Sequence, residues 1–245
     1  MQRFFTEPEN IQEDEIVIVG DDVNHMRNSL RMKVGEQLEV CDSTGKVYLC
    51  RINEYLQLAV VLKIDKEWQI DTELPSQIYL FQGLPKSDKM ELIIQKAVEL
   101  GVYQIIPVST NRAVVKLDEK KSTKKVSRWS SISESAAKQS GRGIIPKVSE
   151  VMTYEEALEV AKSLELTLFP YELATDMTRT KELLKKVKPS QKIGVFVGPE
   201  GGFDQVEVEK AIESGALPIT LGKRILRTET AAITMLSLLM FELSC

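Results

Sequence analysis

Lys192-Ile193-Gly194-Val195-Phe196-Val197 runs directly into Gly198-Pro199-Glu200-Gly201-Gly202-Phe203, and Asp204 stands where it can cap a following helix, 204–214. The first six residues read as a strand. Three glycines and a proline within the next six positions make a tight loop beyond the strand's carboxyl end, where open α/β sheets bind ligands. The same glycines could serve only the φ angles of a turn. The loop is neither G-x-G-x-x-G nor a P-loop, so dinucleotide and triphosphate binding gain little from it.

Working outward, a second strand, 217–221, also ends in a glycine turn, Gly222-Lys223-Arg224-Ile225-Leu226-Arg227-Thr228-Glu229, before a last helix over 228–243. Two such turns on neighbouring strands form one crevice, and the end of a third strand, 164–169, followed by Pro170, is placed to close it. Upstream, the pattern predicts a strand over 77–84, a helix over 86–101, a strand over 103–108 and helices over 124–140, 153–163 and 179–187. This alternation builds a parallel sheet covered by helices, an α/β fold. The residues before it differ: short β-like runs at 15–19, 37–41 and 48–52, separated by turn signals, suggest a small β-barrel, and 73–76 reads as a linker.

Composition narrows the chemistry. The 245 residues are 43% hydrophobic and 28% charged, enough for a packed core. No apolar run reaches the ~20 residues of a bilayer span, and a cytoplasmic protein is expected. Three cysteines without a CxxC pair and one histidine, His25, make neither a zinc site nor a disulfide scaffold. A Ser-His-Asp hydrolase would rest on His25 with no nucleophile elbow to support it. The net charge of -4 hides a basic middle: residues 86–147 carry a balance of +7 against -6 over residues 1–72. Such a stretch is either a solvated helix face or a nucleic-acid surface.

Several ordered motifs, VGPEGGF (197–203), LGKRILRTETA (221–231), KSDKMELIIQKAVELGV (86–102) and ESAAKQSGR (134–142), resemble the RsmE-type methyltransferases of the SPOUT superfamily. These enzymes methylate the uridine imide nitrogen of small-subunit 16S ribosomal RNA from S-adenosylmethionine. MQRFF (1–5) and the stretch 25–31 extend the resemblance over nearly the whole chain. It implies a PUA-like, RNA-binding β-barrel over residues 1–72 and a SPOUT methyltransferase domain over 73–245 with a deep trefoil knot, an arrangement nearly absent elsewhere. It also implies an S-adenosylmethionine pocket lined by Pro170, Gly198, Glu200, Gly201, Gly202, Leu221, Gly222, Ile225, Leu226 and Ala231, and a homodimer. The face of the last helix made by Ile233, Leu236, Leu239 and Met240 suits either subunit contact or plain intramolecular core.

Methyl transfer is an in-line displacement at a sulfonium, which asks chiefly for alignment and implies no metal. The uracil imide must lose its proton before its nitrogen attacks. Arg227 is expected to stabilise the developing negative charge, and Glu200 or Glu229 to accept the proton. For RNA, Arg112 in the run 111–116 and Arg142 are expected at phosphate or at a flipped uridine, with Arg3, Arg27 and Arg31 contributing from the first domain. Ala113 stands where much of the resembled family has serine, so no hydroxyl is required there. Competing readings are a SPOUT enzyme acting on another RNA such as tRNA, and a non-catalytic ribosome-assembly protein.

Overall fold

The computed structural model describes residues 1–113 and 118–244. Val114, Val115 and Lys116 of the basic run lie outside them. The chain forms two compact units: Met1–Glu73 together with Ala137–Ile145, and the remainder from Leu74 onward.

The first unit is a five-stranded sheet of β1 (Arg3–Phe5), β2 (Glu15–Val19), β3 (Gln37–Cys41), β4 (Lys46–Tyr55) and β5 (Ala59–Gln69), in the order β1-β3-β4-β5-β2. All pairs are antiparallel except β1 with β3. Register shifts between β4 and β5 at Leu49/Cys50 and Ile52/Glu54 bend both strands. The sheet therefore curls around Phe4, Ile16, Ile18, Met26, Leu38, Ile52 and Leu62, all buried. β1 and β2 form its two ends, so the expected barrel is a curled sheet. The sequence pattern does not mark β5. Its second half is charged and exposed, and cross-strand pairs hold it to β4: Arg51 to Asp65 at 3.0 Å and Lys46 to Glu67 at 3.4 Å.

The segment 137–145 belongs to this unit through a compact polar network. Arg142 donates from Nε (2.8 Å) and Nη2 (2.5 Å) to Glu73, which also accepts from the Gly143 amide at 2.9 Å. Arg3 donates to the carbonyls of Gly141 (2.5 Å) and Arg142 (3.2 Å) and pairs with Glu39 at 2.7 Å.

The second unit is a sheet of β6 (Gln77–Gly83), β7 (Gln104–Ser109), β8 (Lys147–Val148), β9 (Met152–Thr153), β10 (Leu166–Pro170), β11 (Lys192–Val197) and β12 (Leu217–Ile219). Its order is β12-β10-β11-β6-β7-β8, with β9 also on β7, and every pairing is parallel. The helices are α1 (Asp21–Asn24), in the first unit, then α2 (Lys89–Glu99), α3 (Glu119–Ser140), α4 (Tyr154–Lys162), α5 (Met177–Lys185), α6 (Gln205–Glu213) and α7 (Thr228–Leu243). Phe81 stacks on Phe196 at 4.3 Å between ring centroids, and Phe169 meets Phe203 at 4.7 Å, fixing the aromatic core beneath the loops.

The step from β6 to β7 moves one way along the sheet, whereas β10 and β11 lie on the other side of β6 and β12 lies beyond β10. The carboxyl ends of parallel strands share one edge, so the loops after β10, β11 and β12 converge there. α7 packs on α2, α5 and β11, with Leu236 and Leu239 buried. Those two residues are intramolecular core, while Leu238 and Phe241 are the exposed apolar residues of the helix. No helix among the described residues is long and apolar enough to cross a membrane.

Candidate active site

A cavity of about 820 Å³ opens where the loops after β10, β11 and β12 meet. Of the ten residues expected to line a cofactor pocket, Pro170, Gly198, Glu200, Gly202, Leu221, Gly222, Ile225, Leu226 and Ala231 are on its wall, as is Arg227. Gly201 is not; its carbonyl instead accepts from Arg112 Nη1 at 3.1 Å.

Local sequence explains the shape of the wall. Gly222 has φ +112°, and a Cβ there would project into open space, so the turn after β12 is free of side chain where the chain bends back. A Cβ on Gly83, at the end of β6, would fall 2.5 Å from Pro199 Cδ, so only glycine lets the 198–203 loop settle on that strand end. Buried Gln82 donates to Thr228 Oγ1 at 2.9 Å, and Thr228 Oγ1 donates to the Gly198 carbonyl at 2.6 Å. This relay ties the start of α7 to β6 and to the loop after β11. Asp204 caps α6 with Glu207 in a reciprocal capping box.

Charge is concentrated around Lys89. Its Nζ lies 2.8 Å from Glu200 Oε1 and 3.5 Å from Glu229 Oε2, so one ammonium joins both expected carboxylates. Glu200 also accepts from the Lys86 amide at 3.2 Å. Burial opposes the ionisation of Glu200, but the Lys89 hydrogen bond, backbone amides and the Lys89 charge together hold its carboxyl below the usual glutamate range. The hydrogen bond to Glu200, only partly offset by burial, raises the Lys89 ammonium in turn. Glu229 Oε2 is buried and faces the Lys89 ammonium at the longer distance of 3.5 Å. Lys89 was not singled out from the sequence, although it lies within the stretch 86–102 that contributes to the resemblance.

The expected RNA residues separate. Arg112 is exposed beside the 198–203 loop. Arg27 is exposed, donates to the Leu56 carbonyl at 2.7 Å and lies over the Tyr55 ring at 5.1 Å; Arg31 is exposed with φ +53°. Arg142 is different from expectation: it is 3% exposed and its guanidinium is gripped by Glu73, so it is placed to hold the first unit together rather than to meet a phosphate. Arg3, half-buried and paired with Glu39, belongs to the same network. Among the described residues no group of three His, Cys, Asp or Glu side chains is arranged to hold a metal ion.

A parallel sheet with a glycine-turn cavity at its carboxyl edge, preceded by a curled sheet, has a counterpart among known proteins. The RNA methyltransferase domain family matches residues 72–240, and the RNA methyltransferase PUA domain matches residues 12–54. These domains define the class as an RNA methyltransferase. The chain is 34% identical to ribosomal RNA small subunit methyltransferase E of Bacillus subtilis, covering 99% of this chain and 97% of that protein. It is 33% identical to the protein of the same name from Mesomycoplasma hyopneumoniae, over 97% and 98%. The crystal structure of ribosomal RNA small subunit methyltransferase E from Neisseria gonorrhoeae bound to S-adenosyl methionine superposes with a TM-score of 0.84 at 35% identity, covering 97% of this chain and 96% of that one. The chain belongs to the ribosomal RNA small subunit methyltransferase E family.

Proposed function

We propose that this protein transfers a methyl group from S-adenosylmethionine to the N3 imide nitrogen of a uridine in 16S ribosomal RNA, in the cytoplasm. The observation that carries this reading is the cavity at the ends of β10, β11 and β12, which brings nine of ten expected cofactor residues onto one wall with Arg227. The wall suits such a ligand. Gly198, Gly202 and Gly222 expose backbone, Val197, Phe203 and Leu226 offer apolar surface for a purine, and Glu172 and Glu200 offer negative charge for a sulfonium and an ammonium. When bound, S-adenosylmethionine supplies an electrophilic methyl group.

The chain's own residues do the rest. Arg227 stabilises negative charge on the uracil oxygens as the imide proton leaves. Glu200, held below the usual carboxylate range, is a weak base and serves to anchor Lys89. Glu229, which Lys89 holds less closely than it holds Glu200 (3.5 Å against 2.8 Å), accepts the proton. Arg112, Arg27 and Arg31 contact the RNA, and the base leaves its stack to reach the cavity. The final segment threads as a trefoil knot, as the family resemblance implies, and exposed Leu238 and Phe241 support pairing of two subunits.

Mass mapping of small-subunit RNA from cells lacking this gene tests the reading. A single uridine methylation should be missing and restored by purified protein; an unchanged map refutes the reaction. For the proton acceptor, single-turnover rates across pH should collapse in Glu229→Gln and fall less in Glu200→Gln. If both variants keep wild-type rates, carboxylate base catalysis is wrong.

A further inference from the structure

Glu207 is a buried carboxylate, 3% exposed, for which the chemistry above has no use. It sits in the first turn of α6 and spends its two oxygens on two different loops. Oε2 accepts from the Asp204 amide at 2.9 Å, completing the capping box. Oε1 accepts from the Asn111 amide at 2.8 Å, in the turn that follows β7. The cap of α6 requires only the first of these bonds. The second reaches across 96 residues of sequence to a turn that the Ala113 amide closes onto the Thr110 carbonyl at 3.1 Å.

Other contacts reinforce the same junction. Asn111 Nδ2 donates to Asp204 Oδ2 at 2.6 Å, and Arg112 Nη1 donates to the Gly201 carbonyl at 3.1 Å. A Cβ on Gly201 would lie 3.2 Å from Arg112 Cβ, so the two loops are in direct contact. From behind, the buried Tyr154 hydroxyl donates to the Glu207 carbonyl at 2.7 Å and pins the turn that holds the carboxylate. The exposed arginine and the glycine loop thus share one buried, charge-assisted anchor.

We propose that Glu207 is a positioning residue that couples the Asn111–Arg112 turn to the 198–204 loop, so that RNA engaging Arg112 and cofactor engaging the glycine loop strengthen one another. This rests on the reading that the cavity takes S-adenosylmethionine and that Arg112 meets RNA. Linkage requires the effect to be reciprocal. A carboxylate can accept from both amides at once. The amide of Glu207→Gln accepts through one atom and presents a donor to the other N–H, so one loop loses its tie.

The test measures the dissociation constant of radiolabelled S-adenosylhomocysteine for the full chain by equilibrium dialysis, with and without saturating small ribosomal subunits from a strain lacking this gene. Subunits should tighten wild-type binding by about fivefold or more, and this ratio should fall to within about twofold of one in Glu207→Gln. A merely structural role would weaken binding in both conditions and leave the ratio unchanged, which would overturn the proposal. Asn111→Pro, at an exposed position, removes the amide N–H that Glu207 accepts from and provides a second variant should Glu207→Gln fail to fold: its ratio should also drop, and a wild-type ratio there refutes the coupling. If wild-type protein binds the nucleoside with no response to subunits, the coupling fails and the cofactor reading stands. If wild-type protein binds none, both fail.

Discussion

Arg142 and Arg112 come from the same basic stretch and end in opposite surroundings. Arg142 is buried in the first unit, its guanidinium hydrogen-bonded to both oxygens of Glu73. Arg112 is exposed in the second unit, beside the loop that follows β11. The difference teaches that the charge balance of a segment says little about partners until each cation's internal partner is known. A buried guanidinium already matched to a carboxylate has its hydrogen-bonding fork filled, whereas one leaning on a single carbonyl keeps most of its donors for a ligand.

The strongest way to break this comparison is Arg142→Ala. Removing one partner of a buried ion pair typically costs 3–5 kcal/mol, and about 3 kcal/mol is expected here because the Glu73 side chain is 23% exposed. Urea unfolding should therefore shift the folding equilibrium roughly a hundredfold, while the folded fraction binds S-adenosylhomocysteine as before. Unchanged stability with lost RNA binding would reverse the roles assigned to the two arginines. Next in size is Gly222→Val. A β-branched residue at φ +112° costs about 1–3 kcal/mol, at a position that lines the cavity. Cofactor affinity should weaken roughly thirtyfold by calorimetry, and wild-type affinity would mean that the turn is not part of the binding wall. Arg112→Ala should leave the urea midpoint in place, weaken RNA binding about tenfold and reduce the salt slope by about one. A shifted midpoint with intact RNA affinity would place Arg112 with Arg142 as a structural residue.

The sequence reading reached furthest where local chemistry and tertiary structure agree. β11 and α7 have the expected bounds because an apolar run ending in glycine, and a helical pattern following Thr228, leave little choice. The crevice was legible for the same reason, since glycine turns after parallel strands face one edge, whereas the residues of its wall were named from the family resemblance. Arginine partners were not legible, because Glu73 and Arg142 are far apart in sequence and nothing local marks the pair. Lys89 was hidden similarly, since a lysine in the first turn of an amphipathic helix looks like solvated surface until Glu200 and Glu229 close on it. β5 was missed because its outer half is stabilised by cross-strand charge pairs instead of alternating burial.

The smallest effect expected is also the most specific to the cavity. In the folded protein Glu200 ionises below the usual glutamate range, so its contribution to stability is present above that range and is lost as pH falls through the lowered value. Lys89 is raised, so its contribution is complete below the ordinary lysine range and is lost as pH rises through the raised value. The pair is therefore intact across neutral pH and weakens only at the two extremes. Lys89→Met removes it. The melting-temperature difference between wild type and Lys89→Met should be flat from about pH 6 to 9 and shrink toward both ends. Glu200 should titrate higher in the variant, moving the acid limb of cofactor binding upward in pH, and Lys89→Arg should restore much of the wild-type profile. A difference that grows on acidification would show that Lys89 acts other than through an ionised Glu200. Without that carboxylate to anchor it, the ammonium would group with Arg112, as a cation kept for a ligand.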